Sequence, residues 1–492
     1  MVVFLLNCGK KPVQKELGFS LISEIKNDKT SPFYIDFSNY PVKREHLPIG
    51  VFDSGTGGLT VLNSILTLDK FNNTTHQQGA DGIPDFQEEY FIYLGDKANM
   101  PYGRYDAEGK SDFLKELIIK DVQFLLGTNY YEAPTDTAPK TDKKRVKTIV
   151  IACNTATAFG YDLIQKAMAK WGLDMKVLGI IDAGATAAVE SLEDGENPGK
   201  EQTVGVFATE GTCAVNGYPN AIKKYYSAAF GRENIDVIQR AGFGLAAAID
   251  GDANYIAPQA EAVRGKEKYF GPGLEHPKYP IDKNLWKEYN FNGGNELLIR
   301  KDSKGEIAEV ELNSVANYIK YHVTHLVKEM VDKYPDRRLD SVILGCTHYP
   351  FFENEIKDHF MYLKNLDAKY NRIIAEDFIL IDPAQSLAVE LYEYLSRQRL
   401  FIPAGMENGE NRDSQFYISV PNPQLKENRI DEAGEFPFDY KYGRSMDTGF
   451  QFVKRVPFSI ERLGRDIRDR IRIKMPRVYE IIPDIQPGFI RN

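Results

Sequence analysis

The feature that most constrains this chain is a recurring unit: a short apolar run that stops at a polar residue, a turn, and then a helical pattern. The run Pro48-Ile49-Gly50-Val51-Phe52 stops at Asp53, and Ser54-Gly55-Thr56-Gly57-Gly58 leads into a segment with Leu59, Leu62, Ile65 and Leu66 on one side. The alternation continues with strands predicted at 90–94, 146–152 and 177–181 and helices at 113–126 and 155–170. A second series places strands at 203–208, 235–239 and 341–344 and helices at 214–228 and 315–331. Strands alternating with helices in this way build parallel sheets, giving an α/β fold in which functional groups lie where strands end.

Grouping these units divides the chain. Residues 1–46 read as a leader, 47–182 as a first α/β lobe expected to be completed by 378–400, and 183–377 as a second lobe carrying an insertion at 251–312. Residues 401–492 form a C-terminal extension rich in Pro, Asn and Gly, without a clear strand and helix alternation. Within it, 454–477 carries nine Lys or Arg against three Asp or Glu, interleaved with Ile; we read this as an amphipathic segment packed on the body rather than a docking surface.

Composition narrows the functional classes. A hydrophobic content of 42% can supply full cores, and a net charge of −9 gives no reason to expect nucleic acid as a partner. The four cysteines, Cys8, Cys153, Cys213 and Cys346, form no CxxC or CxxH pair, so neither a zinc site nor a disulfide framework is expected. Free thiols point to a reducing, cytoplasmic location. The segment Leu5-Leu6-Asn7-Cys8 resembles the end of a bacterial lipoprotein signal, which would anchor the chain in the envelope through Cys8. No basic residue precedes its apolar run, and the run is shorter than a signal core, so a frayed terminus is the preferred reading.

Three predicted strands end in reactive or hydrogen-bonding residues: Asp53-Ser54, Cys153-Asn154-Thr155 and Cys346-Thr347-His348. A buried cysteine at a strand end is usually a small hydrophobe, so each alone says little. In sequence order, however, 51–62 (VFDSGTGGLTVL), Pro101-Tyr102-Gly103, Ala152-Cys153-Asn154-Thr155-Ala156 and Leu344-Gly345-Cys346-Thr347-His348-Tyr349-Pro350 resemble the signature blocks of glutamate racemases. The resemblance spans roughly 48–400 with the insertions removed.

That resemblance implies two similar parallel-sheet lobes with the active site in the cleft between them. It implies that Cys153 and Cys346 act from opposite faces of the substrate as base and acid, exchanging roles with direction. Asp53 would assist Cys153 and His348 would assist Cys346. Ser54, Pro101, Tyr102, Gly103, Asn154, Thr155, Thr212 and Thr347 would hold the amino acid. No cofactor and no metal are implied, and the product would be D-glutamate for peptidoglycan. The partner expected is a small-molecule amino acid, with homo-oligomerisation left open and membrane association only through Cys8.

Gly55-Thr56-Gly57-Gly58 lacks the Lys-Ser/Thr ending of a phosphate loop. His322 and His325 have helical spacing but no third ligand, and are expected at the surface; Cys213 is given no role. Departures from the family, Ala241-Gly242, Asp250-Gly251 and Asp182-Ala183, bear on substrate size. His348 favours glutamate, since aspartate racemases of the superfamily usually place a glutamate there. A racemase for aspartate or another amino acid, and a non-catalytic binding protein on the same fold, are the alternatives.

Overall fold

The structure, a computed structural model, describes residues 18–192, 202–403, 413–447 and 449–482; Cys8 and the lipoprotein-like run lie outside the described residues. In chain order the strands are β1 (Ile49–Asp53), β2 (Phe91–Gly95), β3 (Thr148–Ile151), β4 (Val177–Gly179), β5 (Gln202–Ala208), β6 (Asp236–Ala241), β7 (Leu297–Lys301), β8 (Ile307–Leu312), β9 (Arg338–Gly345), β10 (Ile374–Ile381), β11 (Gln415–Pro421) and β12 (Val453–Pro457). They form a six-stranded sheet ordered β12-β11-β2-β1-β3-β4, a four-stranded sheet ordered β10-β9-β5-β6, and a hairpin of β7 and β8. Every pairing in the two large sheets is parallel except β11 with β12. Strands such as β1 and β2 are buried along their whole length, as expected for sheets covered on both faces.

The first sheet packs its outer face on the helices Gly18–Asn27, Ser111–Leu126 and Asn154–Trp171. Its inner face merges into a core that continues into the second lobe through the helices Ile180–Glu190, Gly217–Phe230 and Pro383–Gln398. A third core lies on the far side of the second sheet, under the insertion.

Two expectations are corrected. Strand β10 does not return to the first lobe, because it pairs with β9 in the second sheet; only the following helix, Pro383–Gln398, lies against first-lobe helices. The C-terminal extension is not irregular: β11 adds to β2 and β12 adds to β11, so it widens the first sheet by two strands. Strand β12 was hidden because two of its five residues are Lys454 and Arg455, yet both are buried. Their charges find partners: Lys454 Nζ donates to the carbonyls of Pro134 and Asp136 at 2.8 and 2.6 Å, and Arg455 donates to Asp121 at 3.1 Å. Beyond β12, Ile471, Met475, Val478 and Ile482 enter the central core, each contributing about 1.5–3 kcal/mol if fully buried.

Asp121 belongs to a closed polar group under the sheet. The Tyr102 hydroxyl is hydrogen-bonded between Asp96 and Asp121, donating to one while the other carboxyl, protonated, can donate to it, and burial together with the neighbouring Asp96 pushes the Asp121 carboxyl up to about 8, against the opposing pull of Arg455. Arg455 is the cation of this buried group, and its removal leaves the two aspartates and the phenol without the charge that offsets their burial. Arg455→Ala is therefore expected to destabilise the protein by about 3 kcal/mol, read from urea denaturation; an unchanged midpoint would contradict the role given to this pair.

Candidate active site

Each expected site residue is placed by a strand end. Asp53 ends β1, and its carboxylate accepts the Gly55 amide at 2.9 Å, which folds the Ser54–Gly58 turn back over the strand. Gly58 must be glycine, since a Cβ there would lie 2.6 Å from the Asp53 Cβ and 2.9 Å from that of Ala152. Cys153 follows β3 and is the N-cap of the helix Asn154–Trp171, its sulfur accepting the Ala156 amide at 3.4 Å. Ser54 Oγ lies 3.6 Å from the same sulfur. Cys346 follows β9, and His348 Nδ1 lies 3.6 Å from its sulfur. Both thiols are buried.

The two strand ends meet. The Asn154 side-chain amide donates to the Gly345 carbonyl at 3.4 Å, and the Tyr218 hydroxyl donates to Asn154 Oδ1 at 3.0 Å. Asn154 is the neighbour of Cys153 and Gly345 the neighbour of Cys346, so one seam between the lobes collects both thiols. Thr347 and Asn154 line a cavity there with Cys346 and Tyr218, and its volume of about 50 Å³ has room for a water or two. The seam also takes in Thr347 from the other side, its Oγ1 lying 3.7 Å from where a Cβ on Gly57 would stand. Thr212 is buried on a short helix after β5, hydrogen-bonded to Thr209, and β5 runs beside β9 with Ala208 opposite Gly345. A Cβ on Gly103 would meet Gly211 Cα at 3.7 Å and Thr155 Oγ1 at 3.9 Å, so the 101–103 block reaches the same seam.

Tyr102 departs from its expected role at the level of the side chain. Its hydroxyl is committed to Asp96 and Asp121 inside the first lobe, which leaves only its backbone for the cleft. The C-terminal extension holds this block from behind: Lys441 donates to the Met100 carbonyl at 2.9 Å, Tyr442 to the Pro101 carbonyl at 3.3 Å, and Arg444 to Asn99 at 2.6 Å.

The two thiols sit in opposite electrostatic settings. Burial, with the Asp53 carboxylate beside it, pushes the Cys153 thiol up to about 12. Asp53 is itself raised above the ordinary carboxylate range by burial, against hydrogen bonds from the turn and from Cys153. His348 shows the reverse pattern. Burial works to lower its imidazole, but hydrogen bonds with Asp250 and Cys346 outweigh that and hold it up at about 10. Asp250 Oδ1 lies 3.3 Å from His348 Nε2. Burial acts to raise Asp250, and its bond with His348 and the charges of His348 and Arg470 bring it below its ordinary value. Cys346 therefore faces an imidazole that Asp250 holds toward its cationic form.

Asp250 was noted in the sequence only as a departure from the family pattern, and its contact with His348 was missed. The signal was an acidic residue before a glycine at the end of a short helical stretch, too common to single out. Gly242, the other departure, has no room for a Cβ, which would overlap the Tyr349 hydroxyl. His322 and His325 are not at the surface. His322 is fully buried, accepting from Arg240 through Nδ1 and bonded to the Phe243 carbonyl through Nε2; His325 is half-buried against the Tyr289 hydroxyl. Burial drives both imidazoles down, His325 to about 3. The insertion supplies Tyr289 to His325, whereas the partners of His322 come from β6 and the turn after it. Cys213, half-buried on the short helix with Thr212, is pushed up to about 12 by burial. Among the described residues, no group of three or more His, Cys, Asp or Glu is arranged to hold a metal ion, and no helix is long and apolar enough to cross a membrane.

Two α/β lobes thus meet at strand ends that carry two buried thiols, one beside a carboxyl and one beside an imidazole. By sequence the chain is a relative of glutamate racemases. It is 24% identical over 377 residues to glutamate racemase 3 of Caldanaerobacter subterraneus, covering 77% of this chain and 87% of the relative. It is 34% identical over 179 residues to the glutamate racemase of Oceanobacillus iheyensis, covering 36% and 47%. Among solved structures, the glutamate racemase of Bacillus anthracis aligns over 76% of this chain and 88% of its own, with 22% identity and a TM-score of 0.41. No family model matches the chain.

The His348 bonds carry a pH signature. Because its folded value of about 10 lies above the ordinary 6.5, the stability it contributes is fully present below pH 6.5 and is lost as the pH rises toward 10. Asp250→Asn is expected to flatten the fall in urea midpoint across that window; curves that stay parallel to wild type would contradict the assignment.

Proposed function

We propose that this chain interconverts L- and D-glutamate without a cofactor, using Cys153 and Cys346 as its two proton-transfer groups, and so supplies D-glutamate for bacterial peptidoglycan. The observation that carries this reading is the pair of buried thiols at touching strand ends, each with a different polar partner. Racemisation removes the α-proton from one face and returns a proton to the other, and a single fixed base serves both tasks poorly.

In one direction the Cys346 thiolate, stabilised by the His348 imidazolium, takes the α-proton and becomes a thiol. The carbanion then takes a proton from the Cys153 thiol on the opposite face, leaving a Cys153 thiolate. The reverse reaction starts from that state and restores the first. A carboxylate cannot stabilise a thiolate by charge, so Asp53 serves Cys153 as a proton acceptor and by position, and the amide of Ala156 at the helix N-terminus supports the thiolate. Ser54, Asn154, Thr155, Thr212 and Thr347, with the backbone of Pro101, Tyr102 and Gly103, are the groups available to hold the ammonium and carboxylates of the substrate.

The reading is tested by circular dichroism with L-glutamate, D-glutamate and L-aspartate in turn, without added cofactor. Wild type is expected to abolish the optical signal of either glutamate enantiomer, and Cys153→Ala and Cys346→Ala to lose at least about a hundredfold in rate. Activity only on aspartate would move the substrate, and turnover that survives replacement of a thiol would overturn the mechanism.

A further inference from the structure

The C-terminal extension touches the candidate site at a second place, on the far side from the 101–103 block. Arg470, on the helix Arg465–Lys474, donates from Nη1 to Asp250 Oδ1 at 2.6 Å. The same oxygen faces His348 Nε2 at 3.3 Å, and His348 Nδ1 faces the Cys346 sulfur at 3.6 Å. Arg470, Asp250, His348 and Cys346 thus form one unbroken line of contacts from the extension to a thiol.

Arg470 is held in place by what surrounds it. The next residue, Ile471, is 1% exposed in the central core, and Met475, Val478 and Ile482 follow it there. The helix Pro476–Glu480 packs on Leu59–Thr67, the helix that follows the Asp53–Gly58 turn. Asp250 belongs to the other lobe, at the end of the short helix Leu245–Ile249 and followed by Gly251 at φ +78°. A carboxylate at a helix C-terminus meets the unfavourable end of the backbone dipoles and needs a cation to offset it. His348 is one such cation and Arg470 the other. On the same helix as Arg470, Arg468 and Arg472 both pair with Asp469, whereas Arg470 reaches across to the second lobe.

We infer that Arg470 is a positioning residue: carried on the first lobe by the extension, it holds Asp250 against His348 and so makes the Cys346–His348 pair depend on the extension being seated. The inference rests on the reading of Cys346 and His348 as an acid–base pair. It gives the extension a task beyond widening the sheet and holding the 101–103 block, because the contact joins the two lobes at the site.

The test compares Arg470→Ala, Arg470→Lys and, as a control on the next helix, Arg477→Ala. Two quantities are followed against pH: kcat/KM for glutamate, and the rate at which iodoacetamide alkylates Cys346, read by peptide mass spectrometry. Arg470 favours ionised Asp250, so its loss raises the Asp250 carboxyl, and the acid limb of both profiles moves to higher pH. Arg470→Ala is expected to lower kcat/KM about two- to fivefold, a modest loss because the pair is partly exposed. Arg470→Lys is expected to recover most of the rate and the limb, and Arg477→Ala to match wild type. Arg470→Ala profiles that superimpose on wild type would overturn the inference. So would a slower rate with an unmoved limb that Lys does not restore, which is the mark of a merely structural role. If wild type turns over no amino acid, the glutamate reading fails, while the alkylation profiles still decide the case for Arg470.

Discussion

One contact between the lobes organises the site: the Asn154 amide donating to the Gly345 carbonyl, with the Tyr218 hydroxyl fixing Asn154 from the second lobe. A parallel sheet presents its functional groups at the carboxyl ends of its strands. A reaction that needs groups on two faces of one carbon can be served by two such edges brought together. Because Asn154 follows Cys153 and Gly345 precedes Cys346, the contact that closes the seam is also what brings the two thiols to it. The continuous apolar core through the helices Ile180–Glu190, Gly217–Phe230 and Pro383–Gln398 holds the two sheets in that relation.

Around this seam the two thiols are made unlike. Cys153 has burial and a carboxyl against its ionisation, offset only by amide and hydroxyl contacts. Cys346 has a histidine kept cationic by Asp250. One thiol therefore lies beside a carboxyl and the other beside an imidazole, so the two sides of the seam differ in charge.

The extension after residue 401 belongs to this machinery in a physical sense. It adds β11 and β12 to the first sheet, places Arg455 against the buried Asp121, holds the backbone of Met100 and Pro101 through Lys441 and Tyr442, and reaches Asp250 through Arg470. Burying cations such as Lys454 and Arg455 is costly unless partners are waiting. That these partners are carbonyls of 134–136 and a first-lobe aspartate shows that the lobe and its extension are built as one unit.

The sequence by itself determined the parallel α/β class, because apolar strands of four to seven residues alternating with amphipathic helices leave little else to build. It pointed to the ends of β1, β3 and β9 as a candidate site, since Asp53, Cys153 and Cys346 each follow an apolar run where such sheets bind ligands and lie in the blocks that resemble glutamate racemases. Only the tertiary structure decided which edge takes β10, that Val453–Pro457 is a strand despite its two cations, that His322 faces the core, and that Asp250 and Arg470 meet at His348. The edge taken by β10 is a choice of pairing that an apolar strand leaves open, and the other three share one reason. Periodicity reports which residues prefer to leave water, but a charged or polar residue leaves water only when a partner distant in the chain satisfies it, and the packed fold alone supplies that partner.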